Sequence, residues 1–263
     1  MKPVFKYIYG PVPSWRLGSS LGVDLLSQAE KICNFDCVYC QLGATNRHTV
    51  ERKIYVPVKK VIEVLEALPD TGSDYITFSG RGEPTLAANL GEAIKALKLI
   101  RKEPIAVLTN GSLMGLDAVR KELILADFVI VKLDACSPES LQGINRPAKE
   151  IKLGGIVDGI KKFRESYRGK LALQIMFIES NGQDITQYIY LANYIKPDEV
   201  QINTPLRPCN VKPLAKKEIL RIRDCFVSDC NIINVVSVYD ERAFKDIASI
   251  SDEETLKRRG KKI

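Results

Sequence analysis

Three cysteines, Cys33, Cys37 and Cys40, fall within eight residues in a Cys-x3-Cys-x2-Cys pattern. Three thiolates on a short loop can each hold one iron of a 4Fe–4S cluster. The fourth iron then lacks a protein ligand, and an open metal position serves catalysis rather than structure. The competing reading is a structural zinc site whose fourth ligand lies elsewhere. Clustered cysteines in a reducing compartment point to metal or catalysis more than to disulfides. Cys209, Cys225 and Cys230 admit a second cluster, although their spacing is irregular and Cys225 also suits a plain core position. Cys209 follows Pro205-Leu206-Arg207-Pro208 at the end of a strand, where a thiol can relay a methyl group or a hydrogen atom. Cys136 reads as incidental. The single histidine, His48, is either a general base or a polar neighbour of the cysteine loop.

The elements that must position this chemistry alternate. Strand-like runs at 21–25, 75–78, 105–108, 128–133, 171–178, 200–203 and 232–238 are separated by helical patterns at 58–68, 90–100, 116–125, 151–163, 185–195 and 215–226. Such alternation implies βαβ units and a parallel sheet. Six units precede the last strand, too few for a closed eightfold barrel. A six-unit open barrel and a doubly wound sheet both fit, and each places its chemistry at the carboxyl ends of the strands. The polar and glycine-rich clusters lie at those ends. Alternate strand residues share a face. Asp24, Thr77, Ser79, Thr109, Lys132, Asp134, Gln174, Gln201 and Asn203 are therefore expected inward, with Val23, Phe78, Leu108, Leu133, Ile175 and Ile202 toward the helices. A polar lining suits a bound ligand or a satisfied internal network. Lys132 inside a barrel can form a Schiff base with a carbonyl substrate, or an ion pair with Asp134, Glu83 or a ligand carboxylate.

The chain has 263 residues, 45% of them hydrophobic and 27% charged, the composition of a folded globular protein. No apolar run approaches the roughly 20 residues that span a bilayer. The first residues lack the apolar stretch of a signal peptide, so no membrane association and a cytoplasmic location are expected. The net charge of +7 permits an acidic partner such as RNA. The loop residues Arg47, Arg52 and Lys53 and the tail from Lys257 to Lys262 can meet phosphates or stay solvated.

The cysteine spacing resembles the signature of the radical S-adenosylmethionine (SAM) enzymes. Arg81-Gly82-Glu83-Pro84 is similar to that family's Gly-Gly-Glu-Pro segment, with Arg81 in place of the first glycine. The resemblance implies an α/β fold: a partial (β/α)6 TIM-like barrel spanning 21–210, with an N-terminal extension at 1–20 and a short C-terminal extension at 211–263. It implies a 4Fe–4S cluster on Cys33, Cys37 and Cys40, with SAM on the open iron. Tyr39 would lie beside the adenine, and Gly82, Glu83 and Pro84 would meet the SAM amino group largely through backbone. Thr109, Asn110, Asp134, Gln174, Asn181 and Asn203 are further cofactor-binding candidates. A one-electron donor of flavodoxin or ferredoxin type would reduce the cluster, and the 5′-deoxyadenosyl radical from SAM would take a hydrogen atom from a substrate carbon.

Residues 10–18, 40–43, 133–135 and 144–147 also resemble a subfamily grouped with the wybutosine-forming enzymes of tRNA. Most members carry a basic residue at the position of Trp15. That resemblance implies a tRNA nucleoside as substrate, modified by C–C bond formation or carbon methylation, with Lys132 and Cys209 as catalytic candidates. Action on a small metabolite or peptide is the alternative. A non-catalytic iron–sulfur carrier is a third reading, which the Gly-Glu-Pro segment opposes.

Overall fold

The computed structural model describes residues 6–232, 234–240 and 248–259. Eight strands form one sheet in sequential order: β1 (Ile8–Ser14), β2 (Gly18–Val23), β3 (Tyr75–Phe78), β4 (Ile105–Thr109), β5 (Phe128–Lys132), β6 (Lys170–Met176), β7 (Glu199–Asn203) and β8 (Asn234–Ser237). β1 pairs antiparallel with β2, and every later pair is parallel. The helices are α1 (Val58–Glu66), α2 (Leu90–Ile100), α3 (Asp117–Leu123), the single turn α4 (Pro138–Ser140), α5 (Leu153–Ser166), α6 (Ile185–Ile195), α7 (Lys216–Asp229) and α8 (Asp252–Arg259).

The strand order settles the architecture. A doubly wound sheet reverses its order at a switch point, and this sheet does not. Right-handed crossovers in one direction place the helices on one face, so the other face curls inward as a partial barrel. The helix periodicity follows from this. Val58, Val61 and Leu65 of α1, and Ile156, Val157, Ile160 and Phe163 of α5, are buried. They join Val23, Phe78, Val107, Val131, Leu133, Ile175 and Ile202 in one core between sheet and helices. A smaller cluster of Leu17, Ala106, Phe128, Ile130 and Ala172 fills the bottom of the barrel.

Leu108, expected against the helices, instead packs on that inner cluster. Ile105 and Val107 hold the helix side of β4, so the two-residue alternation turns Leu108 inward. Thr109 shares the parity of Val107 and reaches the mouth only because it ends the strand. The segments flanking the expected core join the same sheet. Pro11 and Pro13 fit within β1 because it is an edge strand, where proline removes no needed ladder bond. Part of the described tail is not solvated. Arg258 of α8 is buried, with Nε 2.9 Å from the Asp24 carboxylate, and it also pairs with Glu254. Residues 260–263, including Lys261 and Lys262, lie outside the described residues.

Candidate cofactor site at the barrel mouth

A long segment joins β2 to α1 and carries the three cysteines. It is tied down one bond at a time. The Asp24 carboxylate accepts from the Leu26 amide at 3.0 Å, turning the chain over the end of β2. Ile32 then bridges Gly82 in parallel, Cys33 bridges His48, and Phe35 bridges Pro147. Ile32 donates its amide to the Arg81 carbonyl (3.1 Å), and Glu83 donates its own to the Ile32 carbonyl (3.1 Å). Gly82 has φ +152°, and a Cβ there would lie 1.6 Å from the Ile32 oxygen. Only glycine fits that backbone approach. Arg81, the departure from the glycine pattern, donates to the carbonyls of Gln28 and Ala29 at 2.6 Å each, gripping the chain entering the cysteine loop.

Each cysteine sulfur has one N–H donor. The Phe35 amide reaches Cys33 (3.5 Å), the Asn145 amide reaches Cys37 (3.3 Å), and Lys31 Nζ reaches Cys40 (3.4 Å). Burial pushes the Cys33 thiol well up and the Cys37 thiol up to about 11. Such thiols are inert as nucleophiles and become thiolates only beside a positive metal, which deprotonates a coordinating thiol outright. Three cysteines with N–H donors on their sulfurs fit an iron–sulfur cluster, whose potential such bonds help set. Among the described residues no three His, Cys, Asp or Glu side chains form a ready site for a single ion. A cluster does not need that convergence, since each thiolate takes its own iron. His48 is exposed beside Cys33.

Behind the loop, the segment Ile144-Asn145-Arg146-Pro147 acts as a strap. The amides of Asp36 and Val38 donate to the carbonyls of Asn145 (3.0 Å) and Ile144 (2.9 Å), and Ala148 donates to the Asn34 carbonyl (2.8 Å). Residues Leu141–Asn145 form a single π-helical turn, a rare conformation often found at functional sites. It aims the Asn145 amide at Cys37, at Tyr39 Oη (3.2 Å) and at the Asp134 carboxylate (3.4 Å). Sequence reasoning missed Asn145 as a site residue, although its motif was visible. It also missed Asn34, which is buried between Asn110 Nδ2 (2.8 Å) and Ser112 Oγ (2.8 Å).

Asp134, just past β5, is the hub of the mouth. Its carboxylate accepts from Tyr39 Oη, from the Met176 amide at 2.8 Å and from Lys132 Nζ at 3.1 Å. Lys132 Nζ also lies 4.8 Å from the centre of the Tyr39 ring. The lysine is therefore held in an ion pair, one of its two sequence readings. Glu83 is buried and accepts from Thr85 Oγ1 (2.7 Å), Thr109 Oγ1 (2.6 Å) and the Asn110 amide (2.7 Å), which fixes the ends of β3 and β4 together. Pro84 starts the short turn that follows.

Other candidates are engaged within the protein. Gln174 donates to Gln201 at 3.0 Å, and Gln201 donates to Glu199 at 2.6 Å, so these form an internal network. The Asn181 side chain accepts from the Ile178 amide (2.8 Å) and donates to the carbonyls of Asp134 and Met176 (3.1 Å each) and to Tyr188 Oη (3.1 Å). It fixes the loop that carries Asp134. Asn203 is buried and accepts from the Thr204 amide at 2.9 Å. Cys209 packs with Val38 and Val211 against Tyr39, Ile144 and Ile178 at the mouth. Cys225 and Cys230 belong instead to the helix-side core, so the second cluster on Cys209, Cys225 and Cys230 is not supported. Arg52 is also used internally, bonded to Glu122 and to the carbonyls of Thr85 (2.7 Å) and Ala87 (3.0 Å).

A family model described as the Radical SAM superfamily matches residues 31–189. A UPF0026 protein of Synechocystis sp. is 43% identical over 218 residues, covering 82% of this chain and 81% of that protein. A UPF0026 protein of Methanocaldococcus jannaschii is 37% identical over 218 residues, covering 80% and 67%. Among solved structures, Streptococcus suis SuiB bound to S-adenosylmethionine matches with a TM-score of 0.62 at 16% identity. That match covers 82% of this chain and 52% of SuiB, so this chain spans about half of SuiB's length. Archaeal TYW1 matches with a TM-score of 0.52 at 16% identity, covering 80% and 72%. At such identities the structures speak for the fold, while the family model spans the cysteine loop, the Gly82–Glu83–Pro84 segment and the Asp134 hub: this chain belongs to the Radical SAM superfamily, whose cofactors are a 4Fe–4S cluster and SAM.

Proposed function

We propose that this protein directs radical chemistry onto a carbon atom of a tRNA nucleoside, forming a C–C bond by ring closure or by carbon methylation. The observation that carries the reading is a meeting of parts at one mouth. The three-cysteine loop, the Gly82–Glu83–Pro84 segment and the Lys132–Asp134–Tyr39 network converge there, in a sheet whose β1 and β8 do not pair among the described residues.

A cluster held there would supply the electron for reductive cleavage of SAM, the source of the radical. Cys33, Cys37 and Cys40 would hold three irons and leave the fourth for SAM. Gly82 would keep the backbone close enough to meet the SAM amino group, with Glu83 and Pro84 fixing the turn. Tyr39, oriented by Asp134 and Asn145, would lie beside the adenine. Thr109 and Asn110 would act through Glu83 and Asn34, holding the cysteine loop in register. Lys132, paired with Asp134, would serve as a cation for a carboxylate ahead of any Schiff base. Cys209, packed near Tyr39, is the thiol best placed to relay a hydrogen atom or a methyl group. A one-electron donor of flavodoxin or ferredoxin type would supply the reducing electron.

The tRNA assignment draws on the net charge of +7 and on the resemblance of 10–18, 40–43, 133–135 and 144–147 to the wybutosine group. The internal engagement of Arg52 and Arg258 favours the second reading, a small metabolite or peptide. Mass spectrometry of nucleosides digested from tRNA after anaerobic reaction separates the two. A new nucleoside mass is expected. Unaltered tRNA beside sustained SAM cleavage would transfer the assignment to the smaller substrate.

A further inference from the structure

We propose that Arg16, Arg207 and Arg259 form a phosphate-binding site on the inner flank of the barrel, taking the phosphate groups of a nucleotide substrate. The three come from distant parts of the chain: the β1–β2 hairpin, the loop after β7, and the end of α8. They are nonetheless neighbours. Arg207 Nη1 donates to the Arg259 carbonyl at 3.1 Å. Arg16 feels the charge of both others, and Arg259 feels that of Arg207.

Arg16 Nε is buried without a hydrogen-bond acceptor. Neither Arg16 nor Arg259 has an ion pair with a described carboxylate. Burial, reinforced by repulsion from the other arginines, lowers both guanidiniums to about 10. The adjacent Arg258 shows how this fold neutralises a buried arginine when nothing else will: it carries Asp24 and Glu254. Leaving the half-buried guanidiniums of Arg16 and Arg259 without a described carboxylate costs stability, and a ligand's own negative charge would offset that cost. Trp15 helps to hold the orientation, its ring 5.2 Å from the Arg16 guanidinium.

The chemistry selects phosphate. One carboxylate neutralises one guanidinium, whereas a phosphate group offers up to two charges and three oxygens to the planar fork of arginine. The position suits a substrate beside the cofactors. Tyr9, whose charge interacts with all three arginines, bonds to Ser79 Oγ at 2.6 Å, just before Gly80-Arg81-Gly82. Cys209, two residues past Arg207, packs against Tyr39. The nucleotide substrate is taken from the proposed function, but the phosphate site stands on the arginines.

The test uses the full chain and inorganic pyrophosphate, with KCl at matched ionic strength as control. Pyrophosphate is expected to raise the thermal midpoint of the wild type above the KCl control and to bind calorimetrically. Arg16→Gln and Arg259→Gln should each weaken that binding by about tenfold. Arg16→Gln should melt no lower than wild type without anion, since an unmatched charge has gone. No stabilisation beyond KCl, or equal stabilisation in both variants, overturns the site. Two further probes separate the sources of phosphate. Binding of an anticodon stem-loop RNA that weakens in both variants supports the site and the tRNA reading together. Variant-sensitive binding of a nucleoside diphosphate without RNA binding keeps the site and removes the tRNA reading. Modification of tRNA that is indifferent to both variants keeps the tRNA reading and removes the site.

Discussion

Two sides of the barrel treat charge in opposite ways. On the β5–β6 flank, Asp134 is met by Lys132, Tyr39, Asn145 and the Met176 amide, and Glu83 nearby is met by Thr85, Thr109 and Asn110. On the β1–β7–α8 side, Arg16 and Arg259 are half-buried with no described carboxylate, Arg16 Nε has no hydrogen-bond acceptor, and Arg258 next to Arg259 is fully paired. A satisfied network is preorganised and holds its groups still, whereas an unsatisfied one waits for a partner. The proposed function and the proposed phosphate site assign one side to the cofactors and the other to the substrate.

The comparison can be broken most severely at the cysteine loop. Cys37→Ala should reduce the iron content of anaerobically purified protein and bring SAM cleavage to background, read as iron per chain and 5′-deoxyadenosine. Retained cleavage would place the chemistry elsewhere. Gly82→Ala comes next. Its new methyl group would collide with the Ile32 oxygen in a backbone region that L-residues avoid. A loss of about 3 kcal/mol is expected in denaturant unfolding, together with poorer cluster loading.

Asp134→Ala sharpens the comparison directly. It strands the Lys132 cation and the Met176 amide, so a loss of about 2–4 kcal/mol is expected. Arg16→Gln on the other flank should have the opposite sign, a gain of about 1 kcal/mol in the absence of anions. Equal losses from both would erase the distinction between the flanks. The smallest effect belongs to Lys31→Met. Removing the cation that bonds Cys40 should make the cluster harder to reduce, seen as a more negative midpoint in an EPR-monitored titration.

The cofactor flank was legible in the sequence because its parts are contiguous. Cys33 to Cys40 and Arg81 to Pro84 each fall within one loop, and the strand alternation placed Lys132 and Asp134 at the end of β5. What escaped depends on how distant segments meet. Asn145 reaches Cys37 only because a π turn redirects it, and no local pattern announces that turn. Leu108 was misplaced because the side chosen for Thr109 fixed its neighbour's. Gln174 and Asn181 make hydrogen bonds within the protein, to Gln201 and to the Asp134 loop, that no strand pattern announces. The arginine flank was the least visible of all: Arg16, Arg207 and Arg259 span nearly the whole chain, and only the curl of the sheet with α8 against β1 brings them together.

The most direct measurement is 5′-deoxyadenosine formed by anaerobic, iron-loaded protein with dithionite and SAM, with and without tRNA. The account predicts formation that rises with tRNA and is abolished by Cys37→Ala. Formation unchanged by tRNA would contradict the proposed substrate, and none at all in protein holding its iron and SAM would contradict the radical chemistry itself.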